Sequence, residues 1–143
     1  MCPGTAFVVL ESTAGFTIEG LGVMTDFGAA FSILASMHGP LALEHMPRLA
    51  NMGTSFQNAR TIQGGFNLRN VDGLATLGTS FSRLTRTWAT VEIRNNAALQ
   101  TLGTAFGALT SMAPVSNEGY ADVDICKSTP LPLPNGTACH RDC

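Results

Sequence analysis

The chain is predicted to fold as a β-solenoid with coils of about 24–25 residues, a period typical of solenoids, and two observations carry that prediction. The first is a repeat. Gly4-Thr5-Ala6-Phe7 returns as Gly28-Ala29-Ala30-Phe31, Gly53-Thr54-Ser55-Phe56, Gly78-Thr79-Ser80-Phe81 and Gly103-Thr104-Ala105-Phe106, so the spacing between successive glycines is almost constant. Such a fixed interval marks a solenoid, in which each repeat is one coil stacked on its neighbours. The second is a pair of apolar residues spaced by two inside each repeat: Phe16 and Ile18, Leu41 and Leu43, Phe66 and Leu68, Val91 and Ile93. Alternate side chains of a strand share a face, so each pair reads as one strand per coil.

The remaining core positions follow from superposing the repeats. Phe7, Phe31, Phe56, Phe81 and Phe106 form one column, followed three residues on by Leu10, Leu34, Ala59, Leu84 and Leu109. After the strand come Met24, Leu49, Leu74 and Leu99, and each repeat closes on Phe27, Met52, Leu77 or Leu102. Burying each such side chain is worth roughly 1.5–3 kcal/mol. One coil alone cannot cover both of its ends, so stability is a nearest-neighbour property and the end coils need caps. Successive strands are expected about 4.8 Å apart in one continuous parallel sheet. The recurrent Gly implies a tight corner or a positive φ. The segment after each Phe, such as Ser82-Arg83-Leu84-Thr85, reads as a short helical or 3₁₀ turn. A helical array of the same period is the competing reading, and the Thr, Gly, Phe and Val content of the strand segments argues against it.

Val91-Glu92-Ile93-Arg94-Asn95-Asn96-Ala97-Ala98-Leu99-Gln100-Thr101-Leu102 resembles a leucine-rich repeat, with Val91, Ile93 and Asn96 in the hydrophobic–x–hydrophobic–x–x–Asn places. Leu102-Gly103-Thr104-Ala105-Phe106 resembles the ending of the irregular repeats of bacterial surface antigens, and the Asn-Asn-x-x-Leu portion is similar to the receptor L domain. The resemblance covers about residues 4–112. It implies right-handed coils, about four and a half of them, with one parallel β-sheet whose outward face binds a ligand. The chain departs from the family in its inward Asn, present only at Asn96 where other coils hold Leu21, Met46 and Val71.

Composition bounds the function. The chain has 143 residues and a formal net charge of −2, with seven Arg and Lys127 spread along it. No basic stretch favours nucleic acid. No apolar run approaches the length of a membrane span. Met1-Cys2-Pro3-Gly4 has neither the basic nor the apolar region of a signal peptide and enters a repeat directly. The expectation is a fragment of a longer protein, with weak self-association through an uncapped first coil.

Residues 1–112 are read as the solenoid and 113–143 as a degenerate last coil with a Cys/Pro-rich tail, in which Pro114, Asn117 and Gly119 interrupt the strand pair. Cys126, Cys139 and Cys143 are disulfide candidates, and Asn135-Gly136-Thr137 is an N-glycosylation acceptor. Clustered Cys in Pro-rich sequence together with this acceptor point to an extracellular or cell-surface protein. A zinc site from Cys126, Cys139, His140 and Cys143 is disfavoured, because one side supplies a single ligand where tetrahedral sites use short pairs.

The strand residues that point outward vary from coil to coil while the core columns hold. Thr17, Asn67 and Glu92 stand within the strands, with Ala42 in the same column, and Glu19, Glu44, Arg69 and Arg94 follow them. This face is the candidate ligand-binding surface for a protein or glycan, with two acidic rungs followed by two basic ones. The bland alternative is a solvated face on which Glu44 and Arg69 form an exposed pair. A second candidate is the hydroxyl row Thr5, Thr54, Thr79 and Thr104, with Ser55 and Ser80 beside it, as an ice-binding array. Such residues are also ordinary corner residues that satisfy turn backbone. No catalytic motif occurs: His38, His45 and His140 are isolated, and no nucleophile elbow, phosphate loop or dinucleotide fingerprint is found. No cofactor, metal or catalysis is expected. Trp88 occupies a turn place held elsewhere by Ala14, His38 and Gln63, where it is either a partner anchor or packed on the next coil.

Overall fold

The computed structural model describes residues 10–89, 91–112 and 123–126. Among them no helix occurs, and ten short strands alternate in length along the chain. The two-residue strands are β1 (Ser12–Thr13), β3 (Ser36–Met37), β5 (Thr61–Ile62), β7 (Arg86–Thr87) and β9 (Ser111–Met112). The four-residue strands are β2 (Phe16–Glu19), β4 (Leu41–Glu44), β6 (Phe66–Arg69), β8 (Val91–Arg94) and β10 (Val123–Cys126). The short strands form one five-stranded sheet and the long strands another, and every pairing is parallel. The chain is therefore a β-solenoid of stacked coils. The expected single sheet is corrected to two. A two-residue strand is too short to show alternation, so its inward column of Met37, Ile62 and Thr87 escapes a search for periodicity.

The long-strand register is the one the repeat dictates. Phe16 pairs with Leu41, Leu41 with Phe66 and Phe66 with Val91, each an advance of one full repeat. Val123 then pairs with Val91, a longer advance than any before it. Pro114, Asn117 and Gly119 thus do not end the sheet. Val123-Asp124-Ile125-Cys126 restores the apolar–x–apolar pattern after a longer connection, whose closure entropy grows only slowly with length.

The Phe column forms a stack along the solenoid axis. Phe16 of β2 lies 4.9 Å from Phe31 at one end, and ring centroids along the column lie 5.1 Å apart for Phe31–Phe56, 5.2 Å for Phe56–Phe81 and 5.7 Å for Phe81–Phe106. The last three pairs are tilted by only 9°, 7° and 7°. Parallel rings at this spacing follow from the strand-to-strand repeat. The backbone follows the same line, with Phe81 N–H donating to Phe56 C=O and Phe106 N–H to Phe81 C=O, both at 3.3 Å. The apolar columns of successive coils join this core, while Leu10, Phe16, Ile18 and Met24 of the first described coil and Leu109 of the last are only partly buried.

The corner at each Phe is neither helical nor 3₁₀, contrary to the expectation. Three linked turns close it: Ala30 N–H to Phe27 C=O, Ser32 N–H to Ala29 C=O and Leu34 N–H to Phe31 C=O, each at 3.1 Å. The bonds start at every second residue, and φ is positive at both Gly28 (60°) and Phe31 (60°). A left-handed Phe is an outlier for a bulky residue. It recurs at Phe56, Phe81 and Phe106, whose rings continue the stack.

Two residues before each Gly, a short polar side chain holds the corner. Asp26 Oδ1, Asn51 Oδ1, Thr76 Oγ1 and Thr101 Oγ1 accept from the N–H groups of Gly28, Gly53, Gly78 and Gly103. Asp26 with Asn51, and Thr76 with Thr101, also form parallel bridges between coils. Gly53 itself is required twice over, by φ of 58° and by the carbonyl of Gly28, which a Cβ would overlap. Gly53→Ala is expected to cost about 2 kcal/mol or more, against about 1 kcal/mol for Gly20→Ala, where φ is 70° but the space is open. Urea unfolding of the two variants checks the order.

Candidate functional site

The long-strand sheet carries the outward residues. Side chains at the first and third strand positions enter the core, so those at the second and fourth face out. Thr17, Ala42, Asn67, Glu92 and Asp124 share one lateral row, and Glu19, Glu44, Arg69, Arg94 and Cys126 the next. Thr17 and Glu19 are exposed, and Glu44, Asn67, Arg69, Glu92 and Arg94 are half-buried. Ala42 is the exception, since it is buried at 7 % exposure despite its outward register. The candidate residues therefore lie together on one face, as the repeat spacing requires.

The charges pair differently from the bland alternative of an exposed Glu44–Arg69 pair. Arg69 turns to Glu92 of the following coil, with Nη2 2.5 Å from Oε2, and leaves its lateral neighbour Glu44 aside. Arg94 Nε lies 2.7 Å from the other oxygen, Oε1, an ion pair without hydrogen-bond alignment. Glu92 is thus clasped between two guanidinium groups, its side chain 12 % exposed against 40 % for Arg69 and 39 % for Arg94. The Glu92 hydrogen bond holds the Arg69 pKa above its ordinary value against the opposing effect of desolvation, and the charges of Glu92 and Glu44 act in the same direction. The trio carries one net positive charge and fixes both guanidinium planes on the sheet. Asp124 lies beside Glu92 in the register of β10.

The other end of the face is acidic. Glu19 and Glu44 occupy it, and His45 stands at the strand end with φ of 54°. His45 Nδ1 lies 3.9 Å from Glu19 Oε1, and His45 Nε2 3.1 Å from Asn70 Nδ2. His45 is thus exposed, with polar neighbours on the coil at each side.

Asn96, by contrast, points inward and is completely buried. Its Oδ1 accepts from Val71 N–H and its Nδ2 donates to Leu68 C=O, both at 2.9 Å. It ties the turn after β8 to the coil before it.

The second candidate surface narrows to one row. Thr54, Thr79 and Thr104 are not buried, but Ser55 and Ser80 are, at 0 % exposure. The serines fall on the inner side of the corner and the threonines on the outer side. Thr104 Oγ1 donates to Gly78 C=O at 3.3 Å, so that hydroxyl serves the turn backbone. Thr5, Asn135, Cys139, His140 and Cys143 lie outside the described residues, and Cys126 is described in backbone only, as the last residue of β10.

Among the described residues no three or more His, Cys, Asp or Glu side chains stand together as a metal cluster. Among the same residues no helix is long and apolar enough to cross a membrane. The cap residues Asp26, Asn51, Thr76 and Thr101 and the clasping role of Glu92 were not identified from sequence. The first had a signal, a short polar residue two before each Gly, and the second had none. No family model matches the chain, and neither does any curated protein or solved structure.

Proposed function

We propose that this chain is a non-catalytic binding module of leucine-rich-repeat kind, from an extracellular or cell-surface protein, which recognises a protein or glycan through the outward face of its long-strand sheet. The observation that carries the reading is the Arg69–Glu92–Arg94 trio. Long side chains on a merely solvated face are free to rotate, and ordering them on binding costs about 0.5–1.5 kcal/mol each. Here Glu92 holds both guanidinium groups in place beforehand. The core columns keep the coil spacing rigid, while the outward rows change chemistry from rung to rung. A rigid scaffold with variable display is the division of labour expected of a recognition surface. The acidic end at Glu19 and Glu44 and the basic end at Arg69 and Arg94 select a partner of opposite polarity along the axis.

The test is binding of the folded chain to a combined glycan and surface-protein array, beside an Arg69→Gln, Arg94→Gln variant matched by circular dichroism. A specific hit that falls at least about tenfold in the variant supports the reading. If every specific hit is unchanged in the variant, recognition lies off this face and the reading is overturned.

A further inference from the structure

A second charged surface lies on different columns of the coil, beside the short-strand sheet. Arg60, Arg83 and Arg86 stand there, and none meets a carboxylate in the ion pairs among the described residues. They are neighbours across two coils. The carbonyl of Arg60 accepts from Thr85 N–H at 2.9 Å, Arg86 N–H at 3.3 Å and Thr85 Oγ1 at 3.1 Å. Arg83 is aimed by Asn58, whose Oδ1 accepts from its Nη1 at 2.8 Å. A cleft of about 280 Å³ opens between them, lined by Arg60, Ser82, Arg83, Thr85 and Ala108. Arg60, Arg83 and the hydroxyl-bearing residues Ser82 and Thr85 thus line one hollow whose lining contains no acid.

The surface continues onto an aromatic ring. The Arg86 guanidinium carbon sits 5.5 Å from the centroid of half-buried Trp88, and a shallow hollow of about 290 Å³ is lined by Trp88 and the exposed Gln63. A flat indole beside an amide suits the apolar face and the hydroxyls of a sugar ring. Guanidinium groups without a carboxylate partner suit an oxyanion, which they bind in paired, planar geometry. The hollows are small and shallow and the whole chain carries a net charge of −2, which favours a short oxyanion-bearing ligand over a nucleic-acid strand.

We propose that this corner is an acidic-saccharide site, in which Arg60 and Arg83 hold a sulfate or carboxylate group and Trp88 with Gln63 supports a sugar ring. The site is separate from the long-strand face and stands without it. Trp88 is the only tryptophan, so its fluorescence reports on the site directly. The experiment titrates the whole chain with a short sulfated oligosaccharide, a short uronic-acid oligosaccharide, a neutral glucan of equal length and a single-stranded RNA. A saturable emission change with either acidic sugar, weakened by added salt, is expected, and the arm that responds distinguishes sulfate from carboxylate. Arg60→Ala with Arg83→Ala should weaken it by about tenfold or more. Arg48→Ala, at an exposed arginine elsewhere, and the Arg69→Gln, Arg94→Gln variant should leave it unchanged. Arg60→Gln alone keeps the Asn58–Arg83 bond and supplies a second weakened variant should the double one not fold. An equal response to the neutral glucan, no saturable response to any sugar, tighter binding of RNA, or equal loss in Arg48→Ala would overturn the proposal.

Discussion

Phe81→Ala is expected to lower unfolding free energy by about 3–5 kcal/mol. Phe81 is fully buried, and its ring meets Phe56 at 5.2 Å, Phe106 at 5.7 Å and Phe66 at 4.8 Å. Truncation opens a hollow in the middle of the stack, where neither neighbouring coil can move in without breaking its sheet register. A second substitution separates packing from backbone. Phe81 sits at φ of 60°, which a side chain with a Cβ tolerates poorly. Phe81→Gly loses the same ring but removes that strain, which is worth about 1–2 kcal/mol. Gly also widens the unfolded ensemble, which takes back part of the gain. The glycine variant is therefore expected to be more stable than the alanine variant by up to about 1 kcal/mol. Urea denaturation followed by circular dichroism reads both, and an alanine variant more stable than the glycine one would refute the left-handed corner.

Asn96→Leu is expected to cost about 2–4 kcal/mol, although leucine suits the apolar column that holds Met46 and Val71 in other coils. The loss comes from Val71 N–H and Leu68 C=O, which the Asn96 amide pairs in the buried interior. Unpairing a buried backbone group carries its full desolvation penalty, about 1–3 kcal/mol each. Hydrogen exchange gives a sharper readout than melting, because the Val71 amide should lose protection beyond the global loss of stability. Uniform change across all amides would argue that Asn96 acts only by packing.

Legibility in the sequence tracked the number of residues that report on each feature. The Phe column, the apolar strand pairs and the closing apolar residues repeat from coil to coil, and they form the core. The short-strand sheet was hidden because two residues cannot show alternation, and because its inward column mixes Met37, Ile62 and Thr87. The strand of β10 was hidden by a longer advance along the chain, though Val123 and Ile125 carry the familiar pattern. On the candidate face, spacing alone placed Glu19, Glu44, Arg69, Glu92 and Arg94 together. Which carboxylate an arginine chooses depends on rotamers and lateral offset, so the preference of Arg69 for Glu92 over Glu44 was not readable. The burial of Ser55 and Ser80 depended on the turn geometry, which the left-handed Phe imposes.

The sameness of the coils has a kinetic consequence. A core whose columns recur once per coil is close to invariant under a shift of one coil, so a folding chain that skips a repeat still finds Phe on Phe and strand on strand. The stack cannot tell the two alignments apart. Residues that occur once can. Arg69 and Glu92 meet only in the native alignment, because a shift of one coil would set Glu44 where Arg69 stands. These singular positions act as index marks on an otherwise uniform ruler, and their removal should show itself as slower and more heterogeneous refolding.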